Sequence, residues 1–365
     1  MADAMVLATQ QWLNQTYGHL SGRFNTVDED GITGWNTIYA LTRALQIELG
    51  IQNTADSFGP TTKSLFQTMS KSNGTSNQYA ILQGAFWCKG YSPGHYGFLD
   101  NHFDNPVEAA VISFKTDAGL ASPNGDVTVD VMKALLNMDA FTLVSKGNPN
   151  IRQVQQYLNR NYQNYTGLNA CDGVYGRATN TALIKGMQIE EGYTGSNVDG
   201  LIGDGTKALI PVLPDGAGLA PGVIVRFITL YKMAMSCNGF HIDTNWSTWN
   251  ADTSLLTSQF QTHYALPVTG IGDVYTWMSL LTSRGDRTRA AQACDCATIL
   301  TQDKAVTLHN NGYEAVGRYL TITSKALTKG EIQIIFNNNL RVFPIYQWFE
   351  QFYVFLDNAA CIVIA

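Results

Sequence analysis

Two stretches of the chain set acids, glycines and an aromatic or basic residue in an order that could hold a polar ligand. Asp30-Gly31-Ile32-Thr33-Gly34-Trp35 and Asp172-Gly173-Val174-Tyr175-Gly176-Arg177 each place two glycines ahead of a helical stretch. Glycine at such points lets the backbone turn sharply into a helix, whose first turn presents free N–H groups and the positive end of the helix dipole. A peptide carboxylate or a sugar acetamide carbonyl would suit that spot, with Trp35, Tyr175 or Arg177 beside it to stack or ion-pair. Asp30 and Asp172 also have a purely local reading, in which each side chain ties down its own turn. Cys88, His95, His102 and Asp104 form another polar group, but spacings of seven and seven fit no known ligand pattern and no single helical face. A solvated loop is expected there, with no metal and no cofactor.

The elements that position these residues are duplicated. Gln10-Gln11-Trp12-Leu13-Asn14-Gln15-Thr16-Tyr17 returns 145 residues later as Gln155-Gln156-Tyr157-Leu158-Asn159-Arg160-Asn161-Tyr162, and a fixed period is the first thing to settle in a chain of this length. Residues 6–66 read as helix, polar loop, helix, short loop, helix. Ile38, Leu41, Leu45 and Leu49 make one apolar helical face, closed by Gly50. Gly59-Pro60-Thr61 opens the next helix, with Leu65 and Phe66 expected to face inward. Residues 80–138 repeat the plan with drift, 150–213 return to the first version and 222–283 to the second. Cys237-x-Gly239-Phe240 answers Cys88-x-Gly90-Tyr91, which reads both cysteines as small buried hydrophobes. The expected boundaries are unit A at 1–70, B at 78–140, A′ at 148–214, B′ at 220–283 and a C-terminal segment at 290–365. Each three-helix unit is expected to hold its own small, marginal core.

These units resemble the bacterial peptidoglycan-binding repeat, a three-helix wall-binding domain with Gln-x-x-Leu, then Asp-Gly-x-x-Gly-x-x-Thr, an apolar helix, and Asp-x-x-Gly-x-x-Thr. Asp30, Gly31, Gly34 and Thr37 carry the pattern in A, and Asp172, Gly173, Gly176 and Thr179 in A′. B and B′ depart from it, with Phe98-Leu99-Asp100-Asn101-His102-Phe103 and Asp243-Thr244-Asn245-Trp246-Ser247-Thr248-Trp249 in place of the Asp-Gly loop. The resemblance implies binding of peptidoglycan glycan or stem peptide, with Asp30, Trp35, Asp172, Tyr175 and Arg177 as ligand-binding residues.

Beyond a linker at 283–287 the period changes. Ala293 to Ala297 reads as a strand, Thr301 to Asn310 as a helix, Glu314 to Leu320 as a strand, Thr328 to Asn338 as a helix with a capping box to Glu331, and Arg341 to Tyr346 as a third strand. That alternation indicates a parallel α/β sheet. Asp295, Gly317-Arg318-Tyr319-Leu320, Leu327-Thr328-x-x-Glu331 and Phe343-Pro344-Ile345-Tyr346-Gln347 resemble the start of a glycoside-hydrolase-like domain, a TIM barrel related to bacterial and phage lysozymes. The likeness covers about residues 290–347 and stops before the tail at Trp348. It implies Asp295 as the catalytic position, since barrels keep their chemistry at the carboxyl ends of strands; a capping role for the following helix is the alternative. A closed barrel takes at least ~200 residues and eight strands, and only about three βα units fit before Ala365. An incomplete barrel is therefore expected, from a truncated or altered frame, with an exposed third strand unless the tail covers it. Glycoside hydrolysis usually needs two carboxyl groups, and Glu350 and Asp357 match no motif.

Composition bounds the rest. Across 365 residues, 45% are hydrophobic and only 14% charged, with a formal net charge of −6, which argues against nucleic-acid or anionic-membrane partners. Six cysteines are too sparse for a disulfide framework. The sequence shows no signal peptide and no run of transmembrane length. The expected fold class is mainly α, with four three-helix peptidoglycan-binding-like units in tandem followed by a partial α/β, TIM-barrel-like segment. The expected function is wall binding that targets an attached lysozyme-like domain. The alternatives are an active peptidoglycan hydrolase, if the parent protein completes the barrel, and a structural spacer in a phage tail or secretion assembly. The expected location is extracellular or in the wall, with a cytoplasmic stage before release left open, as is oligomeric state.

Overall fold

A computed structural model describes residues 2–94, 98–241, 245–264, 266–282, 293–320, 325–348 and 351–353. His95, Asp243, Thr244, the linker at 283–287, Glu350 and Asp357 lie outside them. The chain divides into two compact units, Met1–Gly186 with Val198–Gly200, and Met187–Asn197 with Leu201–Ala365.

In the first unit, α1 (Ala4–Tyr17), α2 (Trp35–Glu48) and α3 (Pro60–Leu65) are followed by α4 (Ser76–Cys88), α5 (Asn105–Asp117), α6 (Val129–Leu135), α7 (Pro149–Thr166) and the start of α8 (Arg177–Glu190). Polar residues open most of these helices: Asp3, Thr75, Asp104, Thr128 and Asn148 each accept a bond from a first-turn N–H. Glycines close several. Gly50, Gly90 and Gly119 sit at φ near +80°, and the next residue's N–H reaches back to Gln46, Phe86 or Lys115, satisfying carbonyls the helix leaves over.

Units A and B do not have separate cores. Leu13, Leu41 and Leu45 of A pack in one cluster with Leu82, Phe86, Phe114 and Met132 of B. Gly84 lets α4 approach α1 closely; a Cβ there would stand 2.6 Å from Thr9 Cγ2. Met69 and Val127 exchange backbone bonds of 3.0 and 2.8 Å, tying the end of A to the third helix of B. The expectation of one small core per unit is thus corrected: three short helices leave large apolar faces uncovered, and pairing covers them. Leu65 also departs from expectation. It is exposed, and Phe66 alone turns inward.

The second unit contains α9 (Asp204–Leu209), α10 (Pro221–Cys237), α11 (Ala251–His263) and α12 (Val274–Thr282). Tyr231, Phe260, Trp277 and Met278 are buried, and Leu213 and Gly272 repeat the Met69–Val127 bridge at 3.1 and 3.0 Å. Burial pushes the Cys88 and Cys237 thiols up to about 11 and about 12, as inert packing groups require.

After the linker come β1 (Ala293–Asp295), α13 (Gln302–Asn310), β2 (Ala315–Tyr319), α14 (Lys329–Asn337), β3 (Arg341–Trp348) and β4 (Gln351–Tyr353). The strands lie in chain order; the first three are parallel and β4 runs antiparallel to β3. The tail therefore covers the carboxyl end of the third strand's edge. Leu300, Ala305, Val316, Ile335 and Leu340 form the core under the helices, and Thr328 and Glu331 make the capping box that their spacing indicates. Among the described residues no helix is long and apolar enough to cross a membrane.

Candidate ligand-binding site at the start of the second helix

The Asp-Gly loop of unit A is held from beneath by one buried glutamine. Gln10 Nε2 donates to Asp30 Oδ1 at 2.8 Å, to the Ile32 carbonyl at 3.2 Å and to Thr37 Oγ1 at 3.1 Å, while its Oε1 accepts from Gly31 N–H at 2.8 Å. Asp30 Oδ1 also accepts from Ile32 N–H at 2.9 Å. These bonds, from Gln10 first and Ile32 second, hold the Asp30 carboxyl below the usual carboxylate range, so it stays ionised. Asp30 thus does tie down its own turn, through Oδ1 alone. Gly31 sits at φ +67°, and a Cβ on it would meet the Asp3 carbonyl oxygen at 2.8 Å; its N-terminal neighbour in space, Asp3, donates its N–H to Gly31 O at 2.8 Å.

Gly34 behaves differently. It lies in extended backbone (φ −139°, ψ 175°) and caps α2 without a side-chain bond, and a Cβ there would touch nothing within 4 Å. Neither strain nor packing requires glycine at this position. Its bareness leaves the first turn of α2 open, beside a cavity of about 280 Å³ lined by Gln10, Val27, Asp28, Asp30, Ile32 and Gly34–Thr37. Trp35 is 52% exposed and stacks on Tyr39, with ring centroids 5.5 Å apart.

Unit A′ rebuilds the same scaffold. Gln155 Nε2 donates to Asp172 Oδ1 (2.8 Å), the Val174 carbonyl (3.1 Å) and Thr179 Oγ1 (3.2 Å), and Gln155 Oε1 accepts from Gly173 N–H (2.9 Å). Arg177 stands exposed where A has Trp35, and Tyr175 Oη accepts from Asn180 Nδ2 at 2.7 Å. The clamp recurs beyond these loops. Gln46, Gln83 and Gln261 each donate to a loop carbonyl and accept a loop N–H. In Lys115 and Lys232 a buried ammonium takes the clamp's place and can only donate, to Asn124 Oδ1 and to the Asn245 and Thr248 carbonyls. Both lysines belong to the drifted units, which also keep the glutamine clamps Gln83 and Gln261. His102 bonds within its own loop to Asp100, and Asp104 caps α5; no group of three or more metal-ligating side chains occurs among the described residues.

Asp295 ends β1 with its side chain exposed, and Tyr319 Oη, at the end of β2, donates to its Oδ2 at 2.9 Å. Burial first, and then this bond, push the Tyr319 phenol up. Glu331 is committed elsewhere: it forms a fully buried pair with Arg318, at 2.6 Å from Nε, and accepts Leu300 N–H at 2.7 Å. Burial opposes its ionisation, but Arg318 and the two backbone donors outweigh that and hold it below the usual carboxylate range.

A family model described as the FadG/YbfG, PGDB-like domain matches residues 2–135 and again 144–281, which together exceed half of the sequence. The chain belongs to this FadG/YbfG PGDB-like family. Its match falls in two copies, each spanning one A–B pair, in keeping with the shared A–B core. PGDB-like domains are peptidoglycan-binding-like. A second model, the Rv2525c-like glycoside hydrolase-like domain, matches residues 306–361. That match leaves Asp295 outside it and runs past Trp348, so the tail belongs to the likeness that the sequence reading ended there. The uncharacterised protein YbfG of Bacillus subtilis (strain 168) is 49% identical over 360 residues, covering 95% of this chain and 48% of its own length. The uncharacterised protein FadG of the same organism is 41% identical over 356 residues, covering 94% and 60%. The chain spans about half the length of these curated relatives. No solved structure gives a significant match.

Of the residues the sequence singles out in the PGDB-like copies, Asp30, Asp172 and Tyr175 lie in the loops, and Trp35 and Arg177 open α2 and α8. Sequence reasoning missed Asp28, Ile32 and Asn36 as cavity lining and Gln10 and Gln155 as the loop clamps. Gln10 and Gln155 did carry a signal, since they open the most faithfully repeated segment of the chain.

Proposed function

We propose that the chain grips bacterial peptidoglycan and holds an attached glycoside-hydrolase-like domain against the wall. Unit A docks through Trp35 and the free face of Asp30, and A′ through Asp172, Tyr175 and Arg177. The observation that carries this reading is the cavity at the open start of α2, lined by an exposed Trp35 together with Asp28, Asp30 and Asn36. The four-unit organisation and a location outside the cell or in the wall belong to the same reading. Cosedimentation of the chain with purified sacculi tests it: the chain pellets with the wall, whereas a mere structural spacer stays in the supernatant.

A second reading, hydrolysis of the glycan by the longer protein, draws on Asp295 at the carboxyl end of a parallel strand with a Tyr319 hydroxyl bonded to it. Retaining and inverting mechanisms both need a second carboxyl, and Glu331 is neutralised by Arg318. The commitment of Glu331 to Arg318 favours binding over hydrolysis for this chain, so wall suspensions treated with it keep their turbidity; clearing that depends on Asp295 reverses this assignment.

A further inference from the structure

We propose that the unit A cavity takes one N-acetylhexosamine ring of the wall glycan, laid on the face of Trp35, and that A′ keeps the scaffold of this site without its sugar-binding lining. The proposal rests on the wall-binding reading and narrows it from a polymer to one chemical group, a neutral acetamido sugar rather than a stem peptide.

The duplication separates what folds the loop from what the loop presents. Every scaffold residue has the same type in both copies: Gln10 and Gln155, Asp30 and Asp172, Gly31 and Gly173, Thr37 and Thr179, with matching bonds between 2.8 and 3.2 Å. Counted from those aspartates, Gly34 is kept as Gly176 and Ile32 becomes Val174, whereas other residues at the cavity or behind its aromatic wall change type. Asp28 becomes Ala170, Trp35 becomes Arg177, Asn36 becomes Ala178 and Tyr39 becomes Thr181. Residues that differ while the loop scaffold stays the same are not needed to hold that scaffold, which leaves the A set available for contacts outside the chain.

The chemistry of that set suits a pyranose. Trp35, backed by Tyr39 at 5.5 Å, offers a broad apolar face to the C–H face of a ring. The Asp30 carboxylate spends Oδ1 on the loop, which leaves Oδ2 to accept from hydroxyls, with Asp28 and the Asn36 amide alongside. An amide can both donate to and accept from an acetamido group. Volume and charge narrow the choice further. About 280 Å³ lies just below the ~300 Å³ at which small-molecule pockets commonly begin, room for one ring. Two carboxylates repel the carboxylates of stem peptides and the phosphates of anionic wall polymers.

Calorimetric titration of the whole chain with the N-acetylglucosamine tetramer tests the proposal. Trp35→Ala and Asp28→Ala each weaken binding at least tenfold, Trp35→Tyr stays within about threefold of the parent, and Leu255→Ala, an equally exposed apolar residue on α11, changes nothing. Trp35 and Asp28 are both exposed, so circular dichroism shows unchanged folding in these variants. Equal tetramer binding by the parent and Trp35→Ala overturns the proposal, as does Trp35-dependent binding of a Lys-D-Ala-D-Ala tripeptide. Pelleting with sacculi without tetramer binding overturns the sugar assignment and leaves wall binding in place; failure to pellet overturns the wall-binding reading itself.

Discussion

At the scale of single residues, the loop that could bind is also the loop that is most firmly held. Gln10 meets four groups at once, and its removal strands the Gly31 N–H and the Thr37 hydroxyl in the interior. Leaving buried polar groups unmet costs about 1–3 kcal/mol apiece, so Gln10→Ala lowers the unfolding free energy by at least about 2 kcal/mol in urea titrations; no change would mean the clamp is ornamental. Glu191 is the opposite case. Both its carboxylate oxygens are buried and bond to nothing among the described residues, and burial raises its pKa from 4.5 to about 8. The folded chain therefore keeps a proton that the unfolded chain releases, and stability present below about 4.5 is lost as pH rises to about 8. Glu191→Gln should leave the melting temperature near pH 4 almost unaltered and raise it at pH 8; an equal shift at both values sinks the assignment. Nothing in the sequence marked Glu191, because a surface-type residue on a helix end gives no hint of what covers it. The hold of Asp30 on its own turn was legible, since an Asp two residues before a free N–H is a turn signal in any context.

At the scale of elements, the first turn of α2 trades stability for access. Serine is a better helix cap than glycine by a few tenths of a kcal/mol, and a side chain at Gly34 meets no obstacle. Gly34→Ser should therefore hold or slightly raise the melting temperature while weakening wall binding. A variant that binds as well as the parent would show that the open turn is not part of the site. The C-terminal α/β segment depends on one buried ion pair. Arg318 and Glu331 are both fully buried, and removing one partner of such a pair costs about 3–5 kcal/mol. Glu331→Gln thus destabilises the segment far more than the paired change to Met at both positions, read by hydrogen exchange of β2 amides. Helices and strands were readable here because periodicity, caps and terminal glycines agree. The inward face of the six-residue α3 was not, since a helix under two turns has no periodicity to read, and Leu65 was placed on the wrong side.

At the scale of the whole molecule, pairing decides what folds. One cluster of buried side chains runs from Leu13 through Phe86 to Leu135, so a fragment of residues 1–72 stays unfolded by circular dichroism, and A and B melt in a single transition within the chain. A folded, cooperatively melting unit A would restore the picture of independent modules. Sequence similarity could show the 145-residue duplication but not which units share a core, because packing between helices of different units leaves no local pattern. On the proposed function, the helical copies rather than the α/β segment hold the wall. Quantitative cosedimentation of a fragment of residues 1–282 with sacculi, beside the whole chain, tests it most directly. Equal affinities are expected for the two; a fragment that stays in the supernatant while the whole chain pellets would shift the grip on the wall to the α/β segment.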